Sequence, residues 1–182
     1  MKARPRSPFR AGAFLRSRRP WGSDVSGPVL VGLISDTHGL VDPRVHEALC
    51  GVVAIIHAGD IGSDATLYEL GVIAPVTAAL GNCDGPALAA FDVQLQVRTK
   101  VAGVRILAIH DIHDLGPIPS DVDVVVHGHT HMPSIQYHGR VLVVNPGSAS
   151  HPRLVPGPSV GILEIGDGRL EARIVMLDDL AE

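Results

Sequence analysis

Apolar positions in this chain come in short runs, and each run ends in a polar loop. Val29-Leu30-Val31-Gly32-Leu33-Ile34-Ser35 is continuous and rich in branched residues. It predicts a strand buried on both faces. Asp36-Thr37-His38-Gly39 follows, then a helical segment from about Pro43 to Cys50, with Asp42 as cap and Pro43 in the first turn. Val52 to His57 predicts a second buried strand, stopped by Ala58-Gly59-Asp60. A short helix capped by Ser63 or Asp64 runs to about Leu70, and Val76 to Leu80 predicts a third strand ending at Gly81-Asn82-Cys83-Asp84. Strands alternating with helices, with polar residues at each strand's C-terminal end, predict an α/β sheet whose ligands bind along that edge.

The pattern then changes. Val93 to Val97 alternates with period two, and Val101-Ala102-Gly103-Val104 predicts a hairpin turn into Arg105–Ile109. Val122 to Val126 is another apolar strand. Hairpins are expected at Ile135–Val144, turning at His138-Gly139, and at Ser159–Leu177, turning at Gly166-Asp167-Gly168. Read from the residues alone this is one mixed sheet, parallel in front and hairpin-rich behind, without an internal repeat.

Charge divides the chain. Seven of its 15 basic residues lie between Lys2 and Arg19, where no acid occurs and Pro and Gly interrupt any period. Residues 1–27 therefore read as a disordered basic arm and residues 28–182 as one domain. Beyond the arm, eight basic residues face 18 acidic ones, a balance of −10, which excludes a long nucleic-acid track. No apolar run reaches the roughly 18–20 residues needed to span a membrane. Two cysteines in 182 residues do not make a disulfide scaffold; the composition suggests a reduced cytoplasmic protein, with Cys50 buried and inert. Ten histidines against six aromatics point instead to metal or acid–base chemistry.

Five strand ends carry metal-ligand residue types: Asp36-x-His38, Gly59-Asp60, Gly81-Asn82-x-Asp84, His110, and His127-Gly128-His129-Thr130-His131. Each alone is weak; five in order at strand ends are not a chance set. On these residues the chain resembles the calcineurin-like metallophosphoesterases, specifically their small single-domain bacterial and archaeal phosphodiesterase branch, over about residues 29–177. Asn145-Pro146-Gly147-Ser148 is also typical of that branch. The resemblance implies a four-layer α-β-β-α sandwich with two mixed sheets and the metal site at the C-terminal ends of strands. It implies one cation on Asp36, His38, Asp60 and His131, and another on Asp60, Asn82, His110 and His129. It thus implies two divalent cations per chain, Mn²⁺ first, with Ni²⁺, Fe, Zn²⁺ or Mg²⁺ as alternatives.

Two dications about 3.5–4 Å apart repel, so a bridging anion is needed. Asp60 could bridge with its two oxygens, and a hydroxide could bridge on the open side and attack a small phosphodiester in line. Asn82, Asp84 and His110 are the candidate catalytic residues, Asp84 by orienting a partner. Relatives often carry His after the motif Asn, where it assists the leaving group; here Cys83 stands there, which favours diesters or good leaving groups. Cys83 and Arg153 are the candidate substrate contacts, with His151 beside Arg153. Asp111 reads either as the holder of His110 or as a loop acid, His113 as a solvated loop residue or part of the substrate mouth. His57 reads as a satisfied core histidine and His127 as support for a ligand, while His46 and His138 read as solvated. The competing reading is an interaction scaffold on the same fold, such as the retromer scaffold subunit; loss of ligand residues would mark it, and all seven are present. Homo-oligomerisation is left open.

Overall fold

The structure, a computed structural model, describes residues 27–86, 88, 91–153, 157–166 and 168–180. The expected arm lies outside the described residues, Gly27 excepted. Among the described residues no helix is long and apolar enough to cross a membrane.

Among the described residues, ten strands form two sheets of five. The first has the order β10 (Arg169–Met176), β9 (Ser159–Gly166), β1 (Val29–Ile34), β2 (Ala54–His57), β3 (Val76–Ala78). The second has the order β4 (Gln96–Val101), β5 (Val104–Ile109), β6 (Val124–Val126), β8 (Val141–Asn145), β7 (Ser134–His138). Both are mixed. β1, β2 and β3 run parallel, as do β5, β6 and β8, while β9 pairs antiparallel with β1 and the hairpins β4–β5, β7–β8 and β9–β10 are antiparallel. The single-sheet reading is thus corrected, and the two-sheet fold implied by the resemblance stands.

Alternation along the central strands explains the layers. Val31, Leu33 and Ile56 meet Ile106, Val124, Val126, Leu142 and Val144 between the sheets. Ile34, Ile55 and Ile162 point the other way, onto Val45 of helix α1 (Arg44–Ala48), Leu49 at its C-terminal cap and Leu70 of helix α2 (Asp64–Ile73). The outer face of the second sheet carries Leu107, Val125 and Val143, and its cover is a 3₁₀ turn over Ile112–Leu115. The fourth layer is therefore a single turn.

Boundaries shift by a few residues. Pro43, not Asp42, occupies the cap of α1, although Asp42 Oδ1 accepts the Arg44 N–H at 2.9 Å. Ser63 caps α2, which continues to Ile73. β4 starts at Gln96, and Gln94 contributes only an isolated bridge to Ala79. The hairpin after β4 turns at Ala102 and Gly103, both left-handed, as expected for the tight two-residue type. Cys50 is exposed rather than buried, because α1 ends at Ala48 and leaves it in the turn beyond.

Candidate metal centre

Because β1, β2, β3, β5, β6 and β8 end at the same edge of the two packed sheets, their following loops converge. β1 delivers Asp36 and His38, β2 Asp60, β3 Asn82, β5 His110, and β6 His129 and His131. Among the described residues, six non-glycine residues have left-handed backbone. Ala102 turns a hairpin; the other five are Asp36, His38, Asp60, His129 and His131. Such residues tolerate this conformation only when their surroundings hold them there, and they cluster at functional sites. Two glycines let the loops close. A Cβ on Gly128 would lie 2.6 Å from Asp36 Oδ2, and one on Gly81 would overlap the Asp60 backbone and carboxylate.

All seven expected donor residues come together, in two groups that share Asp60. In the first, His131 Nε2 is 3.2 Å from Asp36 Oδ1 and 3.3 Å from His38 Nε2, which is 3.8 Å from Asp60 Oδ2. In the second, Asn82 Oδ1 is 3.0 Å from both His110 Nε2 and His129 Nδ1, and His110 Nε2 is 3.4 Å from Asp60 Oδ2. Ligands at about 2.1 Å from one cation stand roughly 3.0–3.4 Å apart, the edge of an octahedron or tetrahedron. Five of these six separations fall in that range. Asp60 Oδ1 accepts the Cys83 N–H at 2.8 Å, and Oδ2 lies near a ring of each group, His38 and His110.

The hydrogen bonds around the rings test whether a cation fits. His110 Nδ1 is 2.9 Å from the Ala58 carbonyl, and His131 Nδ1 abuts the carbonyl of His151. Each therefore carries its proton on Nδ1 and turns a bare Nε2 inward, the second-sphere arrangement that orients metal-binding imidazoles. Those lone pairs face carboxylate and amide oxygens, acceptor against acceptor. Asp36 Oδ1 is fully buried without a hydrogen-bond partner. Only cations or protons relieve this arrangement, and the donor set of imidazole, carboxylate and amide oxygen suits a transition dication. The donor atoms of Asp36, His38 and His131 lie within 4.8 Å of one another, as do those of Asp36, Asp60 and His110.

Protonation follows the same logic. Burial pushes the Asp36 carboxyl up, outweighing Ser35 and His131. Burial also acts on Asp60, but the His110 ring and the Cys83 amide hold it below the usual carboxylate range. For His110, burial opposes the charge, while Asp60 and the Ala58 carbonyl raise its pKa above the ordinary value.

The remaining candidates play other parts. Asp84 accepts the Gly62 and Gly81 N–H groups at 2.8 Å each and ties the second loop to the third. Cys83 is exposed, its thiol pKa raised by its bond to Asp60; Asn82 Nδ2 is 3.3 Å from its sulfur. Its sulfur also lies within 4.8 Å of donor atoms of His38 and Asp60. Arg153 is exposed, and its charge reaches the Cys83 thiol. His151 enters through its backbone carbonyl. Asp111 caps the 3₁₀ turn, bonds His113, and places Oδ2 3.7 Å from His129 Nε2. It therefore faces His129, not His110. His57 is the satisfied core histidine expected, 2.9 Å from Thr37 Oγ1. His127 meets Asn145 rather than a donor.

Sequence reasoning missed the clasp that fixes these loops. Asn145 Nδ2 donates to the Gly128 carbonyl at 2.9 Å and to Thr130 Oγ1 at 3.0 Å. Ser148 Oγ donates to the Asp36 carbonyl and Ser150 Oγ to that of Thr37. Ser35 Oγ returns a bond to the Gly147 carbonyl. The available signal was Asn145-Pro146-Gly147-Ser148 itself, polar residues placed after an apolar strand.

Comparison with known proteins agrees. Residues 29–168 match the calcineurin-like phosphoesterase superfamily domain. The chain is 33% identical over 160 residues to a probable metallophosphoesterase of Methanothermobacter thermautotrophicus, covering 81% of this chain and 92% of that one. Among solved structures it is similar to an archaeal phosphodiesterase, with TM-score 0.64 and 24% identity over 81% of this chain and all of that one. It is also similar to Vacuolar Protein Sorting 29 of Cryptosporidium parvum, with TM-score 0.62 and 20% identity over 82% and 97% of the two chains.

Proposed function

The chain belongs to the calcineurin-like phosphoesterase superfamily, and from that premise we propose that it is a phosphodiester hydrolase using two divalent cations per chain, Mn²⁺ foremost. Asp36, His38, Asp60 and His131 would hold one cation, and Asp60, Asn82, His110 and His129 the other. The observation that carries the reading is the pair of inward bare imidazole nitrogens, on His110 and His131, set against oxygens on either side of Asp60. When bound, the cations acidify a water and neutralise charge on a phosphoryl group.

The protein's own groups prepare that chemistry. The Ala58 and His151 carbonyls fix the two rings in the tautomer that accepts. The Cys83 amide turns the Asp60 carboxylate so that one oxygen faces both groups. Asp111 beside His129 Nε2 directs that ring's other nitrogen toward Asn82. Cys83 stands on the leaving-group side with its thiol held protonated by the neighbouring carboxylate, and a thiol is a weak proton donor. Substrates that leave without strong acid assistance, diesters and aryl esters, are therefore favoured over alkyl monoesters.

Purified protein supplied with Mn²⁺ is expected to release p-nitrophenolate from bis-p-nitrophenyl phosphate. Absence of turnover with each of Mn²⁺, Ni²⁺, Fe²⁺ and Zn²⁺ would transfer the weight to a scaffold role, for which the likeness to the vacuolar sorting protein supplies the fold. Retention of all seven donors, five of them from strained backbone, favours the enzyme.

A further inference from the structure

Resting on the phosphoesterase reading, we propose that the cavity beside Asn82, His110 and His129 seats the retained arm of the diester, and that it selects uncharged or cationic arms over arms bearing a further phosphate. The cavity has a volume of about 370 Å³, within the range of small-molecule sites. It opens where β3 ends and the β4–β5 hairpin begins, so it is continuous with the second donor group.

Its surfaces differ in kind. Leu80, Leu95 and Ile109 give an apolar side, and Leu95 is 73% exposed, an apolar surface that folding leaves uncovered. Asp111 and Asp114 give the acidic side. Among the described residues that line it there is no lysine or arginine. A further phosphate lodged on the Asp111–Asp114 side, away from the donor group, would face two carboxylates, whereas a trimethylammonium group or a hydroxyl-bearing ring would meet apolar contact and acceptors together. Cys83, assigned above to the leaving-group side, does not line the cavity. On that assignment, which belongs to the proposed function, the arm that occupies the cavity is the one that stays on phosphorus.

The test compares esters that share one leaving group. Mn²⁺-loaded protein is assayed with p-nitrophenyl phosphorylcholine, thymidine 5′-(p-nitrophenyl phosphate) and the 3′-phosphorylated form of the latter. The third is expected to show kcat/KM at least about tenfold below the second, with the choline ester equal to or above the second. Asp114→Asn narrows the gap between the two thymidine esters, and Asp114→Lys closes it to within about twofold. Equal or better turnover of the 3′-phosphorylated ester by the native protein, or a ratio unmoved by both variants, overturns the pocket assignment and leaves the phosphoesterase in place. Calorimetric titration with phosphocholine and with thymidine 3′,5′-bisphosphate gives the same comparison without turnover. Should no ester react, an unchanged binding order still supports the pocket, and a lost or inverted order overturns it; the missing turnover then counts against the function.

Discussion

The two donor groups share Asp60 but stand in different surroundings. Asp36 and His131, in the first, are 0% and 4% exposed, and serines from the loop after β8 clasp the loop that carries Asp36. In the second, His110 is equally buried, but Asn82 is exposed, and the His129 side chain is 41% exposed and lines the cavity. A position closed on most sides is built to keep its cation; one whose donors face solvent exchanges it and leaves room for substrate. On the proposed two-cation reading, a division of labour within the site would follow from which loops the sheets bury.

The largest expected effect is the loss of what the groups share. Asp60→Asn removes the charge that faces both, and turnover of bis-p-nitrophenyl phosphate should fall by at least about two orders of magnitude. Bound Mn²⁺, counted by elemental analysis after gel filtration, should fall in parallel. Full occupancy with full activity would mean that Asp60 Oδ2 is not the link.

Next come variants that separate the groups. His131→Ala should abolish tight retention, leaving less than one cation per chain after dialysis. Asn82→Ala should keep about one cation per chain while activity drops roughly 10–100-fold. If Asn82→Ala instead empties both positions, the two groups act as a unit and the contrast in burial has no consequence for binding. A smaller loss is expected from Asn145→Ala, which frees the Gly128 carbonyl and Thr130 hydroxyl. About a tenfold drop in activity with cation content retained would show that it positions the His129–His131 loop without holding a cation; unaltered kinetics would make the clasp dispensable.

Much of this architecture is legible in the chain, for identifiable reasons. Strand ends bearing Asp36, Asp60, Asn82, His110 and His129 stand out because a polar ligand type directly follows an apolar run. The division into two sheets does not stand out. Strands buried on both faces look alike in either sheet, and the break between β3 and β4 is bridged only by Ala79 and Gln94 among the described residues. Alternation at Val93–Val97 is a poor guide to β4 for the same reason, since residues before Gln96 belong to the approach and not to the ladder. Nor is the left-handed backbone of Asp36, His38 and His131 visible beforehand, because aspartate and histidine adopt it only under tertiary constraint. Its one sequence trace is the glycine beside four of the seven donors, His38, Asp60, Asn82 and His129. Adjacency to His110 leaves Asp111 open between holding that ring and being a loop acid, because successive residues at a strand end point to opposite sides; the carboxylate turns to His129.

The smallest effect concerns the floor beneath the first group. His57 ends β2 with no exposed surface; the Gly59 N–H donates to Nδ1 at 3.2 Å, so Nε2 carries the proton and faces Thr37 Oγ1, which donates onward to the Ile61 carbonyl at 3.0 Å. No acceptor is left for a second proton. Burial, helped by the nearby His110, lowers its pKa from 6.5 to about 3. The unfolded chain therefore binds a proton that the folded chain refuses between those values. The stabilisation from neutral His57 is complete above pH 6.5 and is lost as pH falls toward 3, at up to about 1.4 kcal/mol per unit. Urea melts of the metal-free protein at pH 7, 6, 5 and 4 measure that slope, and His57→Gln, which cannot titrate, should flatten it by about one proton. If the slope is the same in both proteins, His57 already shares its proton with the site above, and the buried half is less rigid than its packing implies.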